Sequence, residues 1–196
     1  LFPYTTLFRS PKNIFKAFEL VAPDEVKYVI LGQDPYPRSK KGEPDSPIAT
    51  GIAFGVSPID ICECKIHSSC AIYKVLAGIY GSSPKKADRM ARYDCSDLVQ
   101  WARRHKVLML NVALTVPPGK PGAHLGLWTP FTKAILEQVR RNCDKPRFIS
   151  WGAPAAEIAT DLNPLLVAHP SSRKGGFASF WNTPDGQALR DCPRVG

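Results

Sequence analysis

The stretch Val29-Ile30-Leu31-Gly32-Gln33-Asp34-Pro35-Tyr36-Pro37-Arg38 (VILGQDPYPR) changes character halfway through. Its first three residues are apolar and suit a buried strand, which the sequence extends back to Val26 (VKYVIL, 26–31). A glycine, an amide, a carboxylate, a phenol and two prolines follow. Proline fixes φ, so the segment after the strand is a stiff loop that presents an acid and a ring. The design recurs in Val107–Asn111 (VLMLN), which ends on an amide, and in Pro164–Ala168 (PLLVA), which runs into His169. In parallel sheets ligands bind outside the carboxyl ends of the strands. Gln33/Asp34, Asn111 and His169 are therefore expected to converge on one crevice.

Between these strands the sequence reads as helices and loops. Ile14, Phe15, Ala17, Phe18 and Leu20 suit a short amphipathic helix over 11–20. Residues 37–50 and 117–126 are rich in Pro, Gly, Lys or Ser and read as loops. Ser68 is placed to cap a helix over 69–79, and a second helix is expected over about 95–104. Thr129-Pro130 looks like a capping hydroxyl with proline at the first helical position, so a helix is expected from there to Arg141. A strand at 147–151 (RFISW), a short helix near 153–161 and the strand at 164–168 complete the order. Apolar strands alternating with helices predict an α/β protein. Its expected form is a single-domain three-layer α/β/α sandwich with a central, mainly parallel four-stranded sheet. Residues 1–10 (LFPYTTLFRS) have no clear period and are read as a non-native or disordered leader, with one domain over 11–196.

The chain has 196 residues and a formal net charge of +9. Basic residues cluster at Lys40/Lys41, Lys85/Lys86, Arg103/Arg104, Arg140/Arg141 and Arg173/Lys174. Such a balance favours a polyanionic partner, because binding releases condensed counterions, and the partner expected here is nucleic acid. No run of eighteen apolar residues and no signal-peptide pattern is present, so no membrane role is expected. Six cysteines are scattered. Cys62-x-Cys64-x5-Cys70 lacks a CxxC pair, so the reading is free thiols in a reducing compartment, without a bound metal or cluster. GxGxxG, a phosphate-binding P-loop, GxSxG and HExxH are all absent.

Taken in order, GQDPY (32–36), GIAF (51–54), LMLNVALTV (108–116), WTPFTKAI (128–135), FISWG (148–152) and AHPS (168–171) resemble the family-1 uracil-DNA glycosylases. The similarity extends from about Asn13 to Phe180. It implies hydrolysis of the bond between uracil and deoxyribose in DNA, with the target base turned out of the stack. Free uracil and an abasic site would be the products, as in base-excision repair. By resemblance, Asp34 positions the attacking water and stabilises the cationic sugar, and neutral His169 donates to uracil O2. Asn111 reads N3 and O4, Phe54 stacks on the ring, and Tyr36 fills the space beside C5 where thymine carries a methyl. Backbone N–H groups near Gln33 and Asp34 assist at O2. Ser68, Ser171, Ser172, Arg173 and Lys174 are the expected DNA contacts. The resemblance implies no cofactor and a monomer acting on single- or double-stranded uracil-containing DNA. Cytoplasmic placement with the DNA is expected, or nuclear or organellar placement in a eukaryote.

Three departures stand out. Pro37 replaces the histidine that usually follows GQDPY. CECKIH (62–67) stands where the family has a proline-rich loop, which leaves Lys65 or His67 as a phosphate contact. The late loop HPSSRKGGF (169–177) carries no leucine to wedge into the space a flipped base leaves. Weaker flipping would favour single-stranded or mismatched substrates, where unstacking costs less. The alternatives are a reader that binds uracil in DNA without cleaving it, and a glycosylase with altered base or strand preference.

Overall fold

The computed structural model describes residues 11–40, 43–56, 71–81, 95–172 and 176–190. Among them are β1 (Tyr28–Gly32), β2 (Ser39–Lys40), β3 (Glu43–Pro47), α1 (Ala71–Ile79), α2 (Cys95–His105) and β4 (Val107–Asn111). There follow α3 (Leu125–Asn142), β5 (Arg147–Trp151), α4 (Ala153–Ile158), β6 (Leu165–Val167), α5 (Phe177–Phe180) and α6 (Pro184–Ala188). The central sheet has the order β4-β1-β5-β6, and every pairing in it is parallel.

The order fixes where a ligand can sit. From β1 the chain crosses to β4 on one side, then returns past β1 to β5 and moves on to β6. Because parallel crossovers are right-handed, the reversal sends successive helices to opposite faces and opens a crevice at the carboxyl end of β1. In-register pairs carry the polar strand ends to one level, with Gly32 opposite Asn111. Val29, Ile30 and Leu31 are fully buried. Each contributes roughly 2 kcal/mol of hydrophobic stabilisation, which holds the loop after β1 to a rigid base.

Several boundaries differ from the sequence reading. The expected helix over 11–20 is two 3-10 turns, Pro11–Asn13 and Lys16–Glu19. Isolated helices that short gain too few hydrogen bonds to offset nucleation. Residues 37–50 are not all loop, since β2 and β3 form an antiparallel ribbon. Helix α3 begins a turn before Thr129, and Pro130 lies inside it. The Thr129 hydroxyl bonds back to the Leu125 carbonyl at 2.7 Å rather than capping a helix start. The Pro130 ring costs only the bond to Gly126, an exposed residue whose carbonyl water can reach. Helix α4 stops at Ile158, with a 3-10 turn over Thr160–Leu162 completing the stretch. Strand β6 is a short edge, and its Leu166 is 59% exposed, so the sheet is not apolar and covered throughout. Ser68 as a helix cap, Lys65, His67 and residues 1–10 lie outside the described residues.

Candidate active site

Gly32 and Gln33 continue the sheet past the strand ends. Val112 N donates to Gly32 O and Ala113 N to Gln33 O, both at 2.9 Å. These bonds lock the start of the Asp34 loop against the segment that follows Asn111. Farther on, Gly119 N donates to Pro37 O at 3.1 Å, which ties the proline-flanked loop to residues 117–124. A side chain at Gly32 would overlap Asn111 Oδ1 and crowd two ring carbons of Phe54 at 3.2 and 3.3 Å. The glycine is what lets the amide and the ring approach the strand.

Phe54 is 8% exposed and holds φ at 63°, a left-handed conformation costly for a bulky residue. Ala53 N donates to Met109 O at 3.1 Å, and Gly55 N to Ile52 O at 3.1 Å, so the turn is pinned on both sides. The Phe54 ring lies 5.0 Å from Trp151 and 5.7 Å from His169, centroid to centroid. It thereby bridges the end of β5 to the segment after β6.

These elements enclose a cavity of about 260 Å³. Gln33, Asp34, Tyr36, Phe54, Asn111 and His169 all line it, joined by Pro35, Pro37, Ala71 and Pro121. The volume falls below the roughly 300–1,000 Å³ typical of pockets for drug-sized ligands and suits a single ring. Asn111 is 3% exposed, and its Nδ2 has no hydrogen-bond partner among the described residues. A buried donor left unpaired costs about 1–3 kcal/mol, so this amide gains from any acceptor that enters the cavity.

The carboxylate and the imidazole have complementary settings. Asp34 Oδ2 accepts from the Gly122 amide and lies 3.4 Å from Gln33 Nε2. Burial raises the Asp34 pKa from its ordinary 3.8, opposed by the Gly122 amide, then the Gln33 side chain, then the charge of His169. His169 Nδ1 accepts from the Ser171 backbone N–H at 3.1 Å and lies 2.7 Å from the Ser171 hydroxyl. A backbone N–H can only donate, so Nδ1 carries a lone pair and the ring proton is on Nε2. Burial pushes the His169 pKa below 6.5; the Asp34 charge opposes this and the Lys74 charge on α1 adds to it. At neutral pH the ring is therefore a neutral imidazole with one N–H to offer, and it takes up its charge only in more acidic solution.

All six residues expected in the pocket are brought together. Of the expected DNA contacts, Ser171 and Ser172 follow His169. Ser171 is bonded to the imidazole, and Ser172 N donates to His169 O at 2.8 Å. Arg173, Lys174 and Ser68 lie outside the described residues. Sequence reasoning missed the loop carrying Pro121 and Gly122, which closes the cavity and supplies the amide on Asp34. Its signal was the PGKPG run (118–122), with Gly122 at φ 80°.

The fold and the slot define an α/β enzyme with a cavity sized for a single ring beside a carboxylate and an imidazole. No protein-family model matches the chain. It is 34% identical over 185 residues to the uracil-DNA glycosylase of Streptococcus gordonii, covering 91% of this chain and 76% of that one. Against the uracil-DNA glycosylase of Streptococcus pyogenes serotype M6 it is 35% identical over 177 residues, covering 86% and 72%. The crystal structure of mimivirus uracil-DNA glycosylase matches at TM-score 0.66 and 27% identity, over 85% of this chain and 57% of that chain. The UNG structure from Nitratifractor salsuginis shares the fold at TM-score 0.63 and 24% identity, over 93% and 80%. The chain belongs to the uracil-DNA glycosylase family.

Proposed function

We propose that this protein hydrolyses the N-glycosidic bond of deoxyuridine in DNA, releasing uracil and leaving an abasic site, and that within its family it is a divergent family-1 member. The observation that carries the reading is the unpaired, buried Asn111 amide in one cavity with Asp34 and His169. Asn111 accepts from uracil N3–H and donates to O4. Cytosine reverses both partners and leaves buried groups unsatisfied, so it is rejected. Phe54 stacks on the ring, and Tyr36 occupies the space beside C5.

Hydrolysis breaks the bond between N1 and C1′, and the electron pair goes to the uracil ring. Charge grows at O2, where the His169 Nε2–H and backbone N–H groups near Asp34 meet it. Donors of this kind are each worth about 3 kcal/mol in the transition state. The sugar becomes cationic, and ionised Asp34 stabilises it while orienting the water whose oxygen bonds to C1′; the proton this water sheds passes to the Asp34 carboxylate and, through solvent, to the departing uracil anion. The Gly122 and Gln33 contacts fix Oδ2 and leave Oδ1 for the water.

Ser171, Ser172, Arg173 and Lys174, with Ser68 or its neighbours, hold the DNA backbone through small hydroxyls and cations that carry no sequence information. Without a leucine in residues 169–177, extrusion from an intact duplex is inefficient, and the protein acts as a monomer best on single strands and mismatches. Incubation with a uracil-containing oligonucleotide followed by hot alkali tests the reading. Strand scission, faster for single-stranded U and U·G than for U·A, is the expected result. Retention of the oligonucleotide without scission supports the non-cleaving reader instead, and equal rates on all three substrates remove the strand preference.

A further inference from the structure

Asp34, in the role proposed for it above, depends on how its carboxylate is held. The Gly122 amide that bonds Asp34 Oδ2 belongs to a segment with almost no apolar anchorage. Pro118, Gly119, Lys120, Pro121 and Ala123 are all exposed. Turn bonds from Lys120 N to Pro117 O and from Ala123 N to Lys120 O set its local shape but not its position on the protein. Leu125 N donates to Gly122 O and Trp128 N to His124 O, both at 3.1 Å, which joins the segment to the start of α3, and two further polar anchors among the described residues tie it to the rest of the protein. One is the Gly119–Pro37 bond already described. The other lies at the far end, where Thr115 Oγ1 is 2.9 Å from His124 Nδ1 and accepts from Trp128 Nε1 at 2.7 Å.

The chemistry of this second anchor is directional. An indole N–H can only donate, so the Thr115 oxygen accepts from Trp128 and keeps both its proton and a second lone pair, either of which can meet His124 Nδ1. Thr115 is 2% exposed, in the rigid stretch just after β4, and Trp128 is in the first turn of α3. His124, two residues from Gly122, is thus clamped between the sheet and a helix. We propose that Thr115, His124 and Trp128 form a positioning network that keeps the Gly122 amide on the Asp34 carboxylate. None of the three lines the cavity; they act on the reaction through Gly122.

Thr115→Val keeps the shape and removes the hydroxyl, while Thr115→Ser restores it. Two readouts are taken on the intact chain: kcat and KM for uracil release, and the titration of the Asp34 carboxyl by NMR, assigned with Asp34→Asn. With the anchor lost, the amide that lowers the Asp34 pKa withdraws, so Asp34 titrates at higher pH in Thr115→Val than in the parent. Neighbouring His169 and Lys74 are unchanged in both variants. A misplaced catalytic group loses on the order of tenfold to a hundredfold in rate, so kcat falls by that much with KM unchanged, and Thr115→Ser recovers both readouts. A Thr115→Val protein with parental Asp34 titration overturns the proposal, even if its activity or melting temperature drops. Should Thr115→Val not fold, Trp128→Phe, which keeps a ring and removes the donor, is judged by the same two readouts. A parent chain that releases no uracil would refute the functional reading, while the Asp34 titration still decides this one.

Discussion

Replacing Gly32 by alanine tests the geometry of the site through a single methyl group. The new Cβ would overlap Asn111 Oδ1 and stand 3.2 and 3.3 Å from two carbons of the Phe54 ring. Neither neighbour can yield freely. Asn111 lies within a fully buried strand, and Phe54 sits in a pinned left-handed turn against Trp151 and His169. Reaching ordinary van der Waals separation requires a displacement of about 1 Å at the amide. Overpacking of this kind costs about 1–3 kcal/mol in stability. A displacement of that size at a recognition group costs up to about a hundredfold in rate. The assay is single-turnover release of uracil from a single-stranded oligonucleotide, with a melting curve on the same preparation. The expected outcome is a folded protein with a lowered melting temperature, a large rate loss and weakened preference for uracil over cytosine. Parental rate and selectivity in Gly32→Ala would show that the Asn111–Phe54 wall does not contact the base, and the site as described would be wrong.

Further expectations follow from the same geometry. The acid limb of kcat/KM should lie above the ordinary carboxylate value of 3.8, because burial raises the Asp34 pKa, and His169→Gln, which removes a charge that lowers that pKa, should move the limb up. A limb that disappears in His169→Gln would assign it to the imidazole. The raised Asp34 pKa also has a sign for stability: its contribution is fully present below 3.8 and is lost as pH rises through the folded-state value. Asp34→Asn should therefore melt higher than the parent at neutral pH and show no advantage below 3.8; a lower melting point at neutral pH would contradict it. Tyr36→Ala should open the C5 side of the slot to a methyl group, so that thymine release from a single-stranded oligonucleotide becomes detectable, and continued absence of thymine release would place the methyl-excluding wall elsewhere.

How much was legible in the sequence depended on how local the cause was. Val107–Asn111 and Arg147–Trp151 occur with the bounds read from their apolar runs, because a strand buried on both faces needs a continuous apolar segment and little else. The polar residues at strand ends were legible for the same reason: topology places carboxyl ends of parallel strands together whatever the loops do. Thr129-Pro130 misled because a hydroxyl before proline has the same local signature whether it caps a helix or bonds back within one, and only the packing of α3 decides. The 3-10 turns at 11–19 carry an amphipathic pattern, but pattern fixes which face is buried and not the hydrogen-bond spacing of a segment that short. The PGKPG run marks a turn but not a site, and Gly122 was missed because its contribution is a backbone amide, which every residue but proline possesses. Thr115 and Trp128 fall in two separate motifs and His124 in neither, and only the folded loop joins the three.

The most direct test is chromatographic quantification of the free base released from oligonucleotides that carry a single uracil, cytosine or thymine at the same position. Stoichiometric uracil from the first, nothing from the other two, and a large loss of release in Asp34→Asn are the expected results. Release of cytosine or thymine at comparable rates, or undiminished uracil release by Asp34→Asn, would contradict a slot in which Asn111 reads the ring and Asp34 acts on the sugar.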